Sequence, residues 1–260
     1  MTTAAVLVTH NSSGWINETL VSVFNQETSV DRIVIVDDHS SDATLEIIRE
    51  LSASRAVEVL LSSSDSSDVH TRIAANFVQG IQQAESEFVF LGDHDDIWHR
   101  QRVSSQLQTL MTHPAAALVA SDGQIIDGPD AGRLRTLSDV FPVPAEFESW
   151  RSSQQFGYVL RHSVATGSAC ALRPAAFHEL KVPDGWLHDR WWSLWAAAHG
   201  LLVVDPTVVI DYRLSDTQQV GLNTAAQNSG AASWLVHHLR KGTRTARRLI
   251  DVAPLFIASR

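Results

Sequence analysis

Short apolar runs alternate with longer amphipathic stretches through the first 120 residues, and this alternation restricts the fold more than any other feature. The runs have the length of strands and lie at 4–9, 32–36, 57–61, 88–91 and 116–120. The stretches between them carry apolar residues at helical spacing. Strands that alternate with helices indicate βαβ units around a mostly parallel sheet. The sequence therefore predicts an α/β protein with a Rossmann-like central sheet flanked by helices.

The second half of the chain has a less regular pattern. Residues 123–155 contain several glycines and prolines and are predicted to form a long loop, of the kind that serves as a mobile lid. Strands are predicted at 164–172, 201–204 and 207–212, and a helix at 186–199.

Polar residues follow three of the early strands at the points where those strands end. Thr9 closes the first strand, Asp37 and Asp38 close the second, and Asp93–Asp96 follow the fourth. Ligands of open parallel sheets bind outside the carboxyl ends of the strands. We therefore expect these side chains to share one binding edge.

The segment Asp93-His94-Asp95-Asp96 places three carboxylates within four residues. Their mutual repulsion is relieved by a bound divalent cation. Mg²⁺ and Mn²⁺ take carboxylate oxygens and keep positions open for substrate phosphates. An exposed acidic turn is the alternative, and the position after a strand favours the metal.

Two further acidic sites each have two interpretations. Asp37 and Asp38 either hydrogen-bond a ribose or base, or turn the chain and favour the N-terminus of the next helix. Asp189 begins a helix rich in tryptophan, where burial would raise its pKa and suit it to act as a general base. The alternative for Asp189 is a helix cap paired with Arg190 or His188.

The charge is distributed unevenly along the chain. The total is −9, residues 231–260 carry +5, and residues 1–230 therefore carry −14. A segment with this net charge would repel nucleic acid, which argues against a protein that binds along a nucleic-acid phosphate backbone. It would also repel a nucleoside diphosphate unless a cation lies between them.

The composition predicts a cytoplasmic protein. Cys170 is the single cysteine, which suits a reducing compartment. The first twenty residues lack a basic segment followed by an apolar one, and no apolar stretch approaches the roughly 20 residues of a membrane span.

Five segments, taken in order, resemble the family 2 glycosyltransferases with the GT-A fold. They are VLVTHN (Val6–Asn11), VDDHSSD (Val36–Asp42), FLGDHDDIW (Phe90–Trp98), TGSACALR (Thr166–Arg173) and LHDRWW (Leu187–Trp192). DHDDIW together with HDRWW is most similar to the bacterial rhamnosyltransferase-type branch, which builds surface polysaccharides.

The resemblance implies roles for individual residues. Thr9 and Asp38 would contact the nucleobase, with Asp37 adjacent and Arg72 as a further nucleotide contact. Asp93 and Asp95 would form the D-x-D motif that reaches ribose and metal, with Asp96 beside the donor sugar. Asp189 would be the catalytic base. Tyr212-Arg213 matches a strand-end YR that continues in related sequences as a histidine-containing loop; here Leu214-Ser215-Asp216 follows, so Arg213 alone remains as a diphosphate contact.

The implied activity is transfer of one sugar, with inversion, from a UDP- or dTDP-sugar to a carbohydrate or lipid-linked acceptor, assisted by Mg²⁺ or Mn²⁺. A nucleotidyltransferase and a non-catalytic sugar-nucleotide binder are the alternatives. The catalytic domain is expected over 1–230. The basic tail over 231–260 either lies on the inner face of the plasma membrane or forms a solvated or oligomer-packing helix.

Overall fold

The early apolar runs form parallel strands in the protein's structure, a computed structural model that describes residues 1–127, 136–177, 179–214, 250–255 and 257. The strands are β1 (Thr3–Thr9), β2 (Arg32–Asp37), β3 (Val57–Leu61) and β4 (Phe88–Asp93). β1 lies between β2 and β4, and β3 pairs with the outer side of β2. The predicted parallel sheet of the first half is confirmed.

Four helices connect or follow these strands: α1 (Ile16–Phe24), α2 (Thr44–Ser52), α3 (Val69–Ala84) and α4 (Arg102–Thr112). The Asp68 carboxylate caps α3 by accepting a hydrogen bond from the Thr71 amide. A Cβ added at Gly80 of α3 would lie 2.5 Å from Val6 Cγ1. The glycine therefore lets α3 pack directly on β1.

The remaining strands extend the sheet beyond β4. They are β5 (Ile97–Trp98), β6 (Leu118–Ile126), β7 (Cys170–Leu172) and β8 (Leu202–Arg213), and the sheet order is β3-β2-β1-β4-β7-β6-β8-β5. β7 runs antiparallel to both β4 and β6, and β6 is parallel to β8. The carboxyl ends of β1, β2, β4 and β6 consequently meet at one edge.

The described parts of the segment 123–155, which are 123–127 and 136–155, form more regular structure than the predicted long loop. β6 continues to Ile126, and the short helix α5 (Leu137–Val140) begins with a capping box made by Thr136 and Asp139. A 3₁₀ helix covers Phe147–Ser149, and α6 (Ser152–Val159) begins inside the segment. The prediction was wrong because local capping and Phe147 burial override the loop composition.

Two strand predictions in the second half also need correction. The predicted strand 164–172 is reduced to β7, since Gly167–Ala169 form a buried 3₁₀ turn. An apolar run of this length does not distinguish a buried turn from a strand. The two predicted strands around Asp205-Pro206 are one strand, β8, because register shifts near Ser121 and Asp122 absorb the interruption.

Apolar side chains fill both faces of the sheet and form two cores. One face packs α3 and α7 (His188–Ala198), with Phe77, Trp186 and Trp192 buried there. The other face packs α1 and α4. The helix at 250–255 joins the first core through Val252 and Leu255, and the Trp186 indole donates to Asp251 Oδ2 at 2.9 Å.

Most of the predicted basic tail lies outside the described residues, so its membrane contact and the domain boundary at 230 stay predictions. None of the helices in the described part of the chain has the length and apolar character needed to cross a bilayer.

Candidate functional site

The first part of the site lies at the ends of β1 and β2. Thr9 stands opposite Asp37 across the two strands, and the Asp38 amide donates to the Thr9 carbonyl at 2.8 Å. Arg72 of α3 reaches across the edge and pairs its Nε with Asp38 Oδ2 at 2.7 Å. The sheet and α3 therefore fix the orientation of Asp38 from two directions.

The side chains of Thr9 and Asp37 are engaged within the loops they begin. The Asp37 carboxylate accepts from both the amide and the hydroxyl of Ser40, at 2.9 and 2.6 Å. The hydroxyls of Thr9 and Ser12 lie 2.5 Å apart. The Asp37 carboxylate therefore stabilises the turn that follows β2, and the nucleotide roles of Asp37 and Asp38 stay predictions.

The acidic loop after β4 brings Asp93, Asp95 and Asp96 together. Burial, with the neighbouring Asp95 and Asp189 carboxylates, raises the pKa of Asp93 to about 7. Burial raises the pKa of Asp96 well above its ordinary value, and Asp95 and Asp93 add to this. Asp96 is fully buried and its Oδ1 accepts from the Arg213 amide at 3.0 Å. The loop thus concentrates carboxyl groups in a dry setting, which favours the protonated forms of Asp93 and Asp96.

Arg213 at the end of β8 secures this loop. Its Nε donates to the Asp95 carbonyl at 3.0 Å, and its terminal nitrogens pair with Glu18 and Asp127. The guanidinium also lies over the Trp15 ring, 4.4 Å from its centre. Arg213 was predicted to contact the diphosphate; the structure places it beneath the acidic loop, with its guanidinium already committed to carboxylates of the protein.

Asp189 lies in the first turn of α7, far along the chain from the acids proposed to bind the nucleotide. Its Oδ2 accepts from the Gly167 amide at 3.0 Å and its Oδ1 from the Arg190 amide at 2.6 Å. Burial raises the pKa of Asp189 to about 6, against the lowering effect of these bonds. A carboxylate with a pKa near the working pH suits a general base. The side chain keeps partial exposure, so a substrate can reach it.

Asp189 and the acidic loop are linked through β7, because Asp189 accepts from Gly167 in the turn before β7, and β7 pairs with β4, whose end carries the loop. Burial raises the pKa of the Tyr212 hydroxyl well above its ordinary value, and Asp96, Asp93, Asp95 and Asp189 all raise it further. The structure therefore brings the acidic loop and Asp189 within electrostatic reach of one point. Asp38 follows β2, and the strands β1 and β4 lie between β2 and β7. Arg72 of α3 pairs with Asp38 there.

Sequence reasoning missed two residues that support this site. Arg102 is fully buried beneath β4, donates to the Leu91 carbonyl at 2.6 Å and lies 3.7 Å from the Trp98 ring centre. Burial lowers its pKa to about 9, so it stays charged at neutral pH and partly offsets Asp93. Gly167 holds Asp189. The sequence signal available for Arg102 was a basic residue six positions after Asp96, the last acid of the acidic loop.

The donor set of the acidic loop fits a divalent cation. Asp93 and Asp95 supply carboxylate oxygens. Burial raises the pKa of Asp93, the neighbouring Asp95 carboxylate raises it further, and a cation removes that repulsion. Within the described ranges, no group of three or more histidine, cysteine or acidic side chains is arranged to enclose a metal. Mg²⁺ is commonly held by one or two carboxylates together with substrate phosphates, so this open arrangement suits it.

Comparison with known sequences identifies one family. The sequence model described as Glycosyl transferase family 2 matches residues 4–181. The dTDP-rhamnosyl transferase RfbG of Shigella flexneri is 25% identical over 267 residues, covering 94% of this chain and 85% of its own. The putative teichuronic acid biosynthesis glycosyltransferase TuaG of Bacillus subtilis is 25% identical over 131 residues. The match covers 48% of this chain and half of the length of TuaG. Asp189 lies beyond the segment that the family model matches.

Solved structures agree on the fold. TarS of S. aureus, residues 1–349 in complex with UDP, superimposes with a TM-score of 0.60 and 18% identity over 83% of this chain and 61% of its own. Glucosyl-3-phosphoglycerate synthase of Mycobacterium tuberculosis was solved with Mn²⁺, UDP and glucosyl-3-phosphoglycerate. It superimposes with a TM-score of 0.55 and 18% identity, over 82% of this chain and 72% of its own. The predicted GT-A fold is confirmed.

Proposed function

Since this chain belongs to glycosyl transferase family 2, we propose that it transfers a sugar from a nucleoside diphosphate carrier to an acceptor hydroxyl, with inversion at the anomeric carbon. One observation carries the proposal: Asp189 is hydrogen-bonded to Gly167 in the turn that leads into β7, and β7 pairs with β4, whose end carries the acidic loop. A metal-bound diphosphate and an acceptor base need this proximity.

The donor would bind along the edge formed by β1, β2 and β4. Asp38, oriented by Arg72, would accept hydrogen bonds from the nucleobase, and Asp93 and Asp95 would hold the divalent cation that neutralises the departing diphosphate. RfbG is named for dTDP-rhamnose and TarS was solved with UDP, which supports a dTDP- or UDP-sugar as donor. Asp96 would remain beneath the donor sugar as part of the loop.

Asp189 would act on the acceptor. It takes the proton of the attacking hydroxyl as the oxygen bonds to the anomeric carbon and the bond from that carbon to the diphosphate oxygen breaks. The Gly167 amide keeps the Asp189 carboxylate oriented throughout. Attack from the face opposite the leaving diphosphate inverts the anomeric configuration. Cell-surface polysaccharide or glycolipid synthesis is the setting that the similarity to RfbG supports.

The test is release of nucleoside diphosphate from a panel of UDP-, dTDP- and GDP-sugars with Mn²⁺, repeated with EDTA. We expect turnover with one donor class, its loss in EDTA, and its loss in Asp95→Asn. Asp65→Asn is the matched control, because Asp65 is exposed and distant in sequence from the acidic loop.

A non-catalytic binder would bind a sugar nucleotide by calorimetry without releasing the diphosphate in any donor–acceptor combination. A nucleotidyltransferase would instead form sugar nucleotide and pyrophosphate from a nucleoside triphosphate and a sugar phosphate. Either result would refute the proposed transfer.

A further inference from the structure

A cavity lined by none of the nucleotide acids lies beside Thr166, the residue before the Gly167 that holds Asp189. We propose that it binds a neutral sugar ring of the acceptor, in preference to an anionic acceptor; this rests on the proposed function. The cavity measures about 260 Å³. Small-molecule pockets usually measure about 300–1,000 Å³, so the space suits one ring and not a long segment of polymer.

The cavity opens beside the middle of β6. Its floor is Ala120–Asp122 of β6, its cover is α5 with residues 141–148, and its remaining walls are 164–166 and 204–206. β6 runs in the same direction as β4, because each is antiparallel to β7. Leu118 of β6 and Val89 of β4 both pair with Leu172 of β7, so the floor of the cavity lies level with the end of β4, where the acidic loop begins.

One wall connects the cavity to the proposed base. Thr166 lines the cavity, and the next residue, Gly167, donates its amide hydrogen to Asp189 Oδ2. Ala165 and Thr166 thus lead from the cavity to the peptide that orients the carboxylate. A ring held in the cavity would direct a hydroxyl toward Asp189 along this wall.

The lining combines apolar surface with carboxylates, as a sugar ring requires. Phe141, Phe147 and Val164 offer apolar surface to the C–H face of a sugar. Asp122 Oδ1 accepts from the amides of Gly123 and Ser138, and Glu148 Oε1 accepts from the Val204 amide. These bonds hold each carboxylate by one oxygen, so the other oxygen can accept from a sugar hydroxyl.

The third acid is used differently. Asp205 accepts through Oδ1 from the Thr207 amide and through Oδ2 from the Thr109 hydroxyl, so both its oxygens stabilise the irregular part of β8. Asp122 and Glu148 are therefore the two carboxylates with a ligand role.

Charge decides between classes of acceptor. Three acids and no lysine, arginine or histidine occur among the described residues that line the cavity. A phosphate or carboxylate group on the acceptor would meet repulsion there that no cation among the described lining residues offsets. A neutral sugar meets none, and its hydroxyls donate to carboxylates in charge-assisted hydrogen bonds.

The test measures binding to protein saturated with Mn²⁺ and whichever of UDP, dTDP and GDP binds most tightly. Neutral p-nitrophenyl glycosides of glucose, galactose, mannose, rhamnose and N-acetylglucosamine are titrated and followed by saturation-transfer NMR. The glucuronide and galacturonide, which differ from the parent sugars at C6, are the anionic counterparts. We expect at least one neutral glycoside to bind, and its anionic counterpart, or both uronides where it has none, to bind at least ten-fold more weakly.

Three variants locate the binding. Glu148→Gln keeps an oxygen for the Val204 amide and should weaken the neutral glycoside about ten-fold, through loss of one charged hydrogen bond. Ala145→Trp, at an exposed lining position, should abolish its binding by filling the cavity. Glu146→Gln is the control, since Glu146 is exposed and outside the lining, and should leave binding unchanged.

The outcomes separate the two proposals. Failure of all three nucleotides to bind contradicts the proposed function. Nucleotide binding without any neutral glycoside binding overturns the cavity inference alone. So does equal affinity for the uronides, or glycoside binding that Ala145→Trp leaves intact.

Discussion

The two sides of the candidate site are built in different ways. On the donor side, Asp38 and the acidic loop follow strands of the parallel sheet directly, so the backbone that carries each acid is fixed by its own strand. On the acceptor side, Asp189 begins a helix and is held by the amide of Gly167, 22 residues earlier in the chain. Donor geometry therefore depends on strand register, and acceptor geometry depends on packing between distant segments.

This difference implies that substitutions on the two sides should affect different quantities, kcat on the acceptor side and nucleotide affinity on the donor side. Changes around Asp189 should lower kcat and leave nucleotide affinity intact, since they alter the transition state alone. Changes around Asp38 should alter nucleotide affinity with little effect on kcat. The following predictions test that separation, from the largest expected effect to the smallest.

Replacing the base is expected to have the largest effect. Asp189→Asn keeps the volume and one oxygen for the Gly167 amide but cannot take the acceptor proton. General-base catalysis contributes about 10²–10⁴-fold, so kcat should fall by that factor. Nucleotide affinity, measured by calorimetry with Mn²⁺, should stay within about two-fold. A variant with normal kcat would refute the assignment of Asp189.

Gly167→Ala should disturb the same carboxylate indirectly. A Cβ at Gly167 would lie 2.4 Å from His188 Nε2, and His188 is buried against Phe77 with ring centres 3.9 Å apart. Because the ring has little room to move, the Gly167 peptide should shift and misplace Asp189. A displacement of about 1 Å can lower kcat roughly 10²-fold.

The double variant Gly167→Ala/His188→Ala tests that explanation. Removing the ring relieves the clash, so kcat should recover in part although His188→Ala alone leaves a cavity and lowers the melting temperature. Strictly additive losses in kcat would show that the clash is not the cause.

The pH dependence of kcat should report the raised pKa of Asp189. Burial raises that pKa to about 6, so the carboxylate is protonated below pH 6 and cannot accept a proton. With saturating Mn²⁺ and donor, kcat should fall about ten-fold for each pH unit below 6 and level off above it. Nucleotide affinity, measured at each pH, is the control. A flat profile between pH 5 and 7 would exclude Asp189 as the titrating base.

The contrast between the two sides also explains what the sequence could predict. β1 to β4 and the acids after them are encoded in short segments, such as the run Arg32–Val36 followed by Asp37 and Asp38. Local periodicity was therefore enough to place them on one edge. The site roles taken from the resemblance remain predictions, although the structure shows that Asp37 turns its loop and that Arg213 anchors the acidic loop.

The acceptor side could not be predicted in the same way, because long-range packing determines it. Gly167–Ala169 read as part of a strand, yet they form a buried turn whose amide holds Asp189. The cavity draws its walls from β6, β8 and the 141–148 segment, which are far apart in sequence. No short motif encodes such an arrangement, and the Asp205-Pro206 interruption was absorbed by a register shift that local pattern does not specify.

The smallest effect is expected on the donor side, at the pair between Arg72 and Asp38. Arg72→Gln removes the 2.7 Å contact and releases Asp38 to other orientations, while the strand still fixes its backbone. Because the pair is partly exposed, its loss is worth about 1 kcal/mol, and nucleotide Kd should rise roughly five-fold. Arg49→Gln, an exposed change of the same charge on α2, should leave Kd unchanged. If Arg72→Gln instead lowered kcat and left Kd unchanged, the donor and acceptor sides would not be separable. The proposal that strand register sets the donor geometry, while packing between distant segments sets the acceptor geometry, would then be wrong.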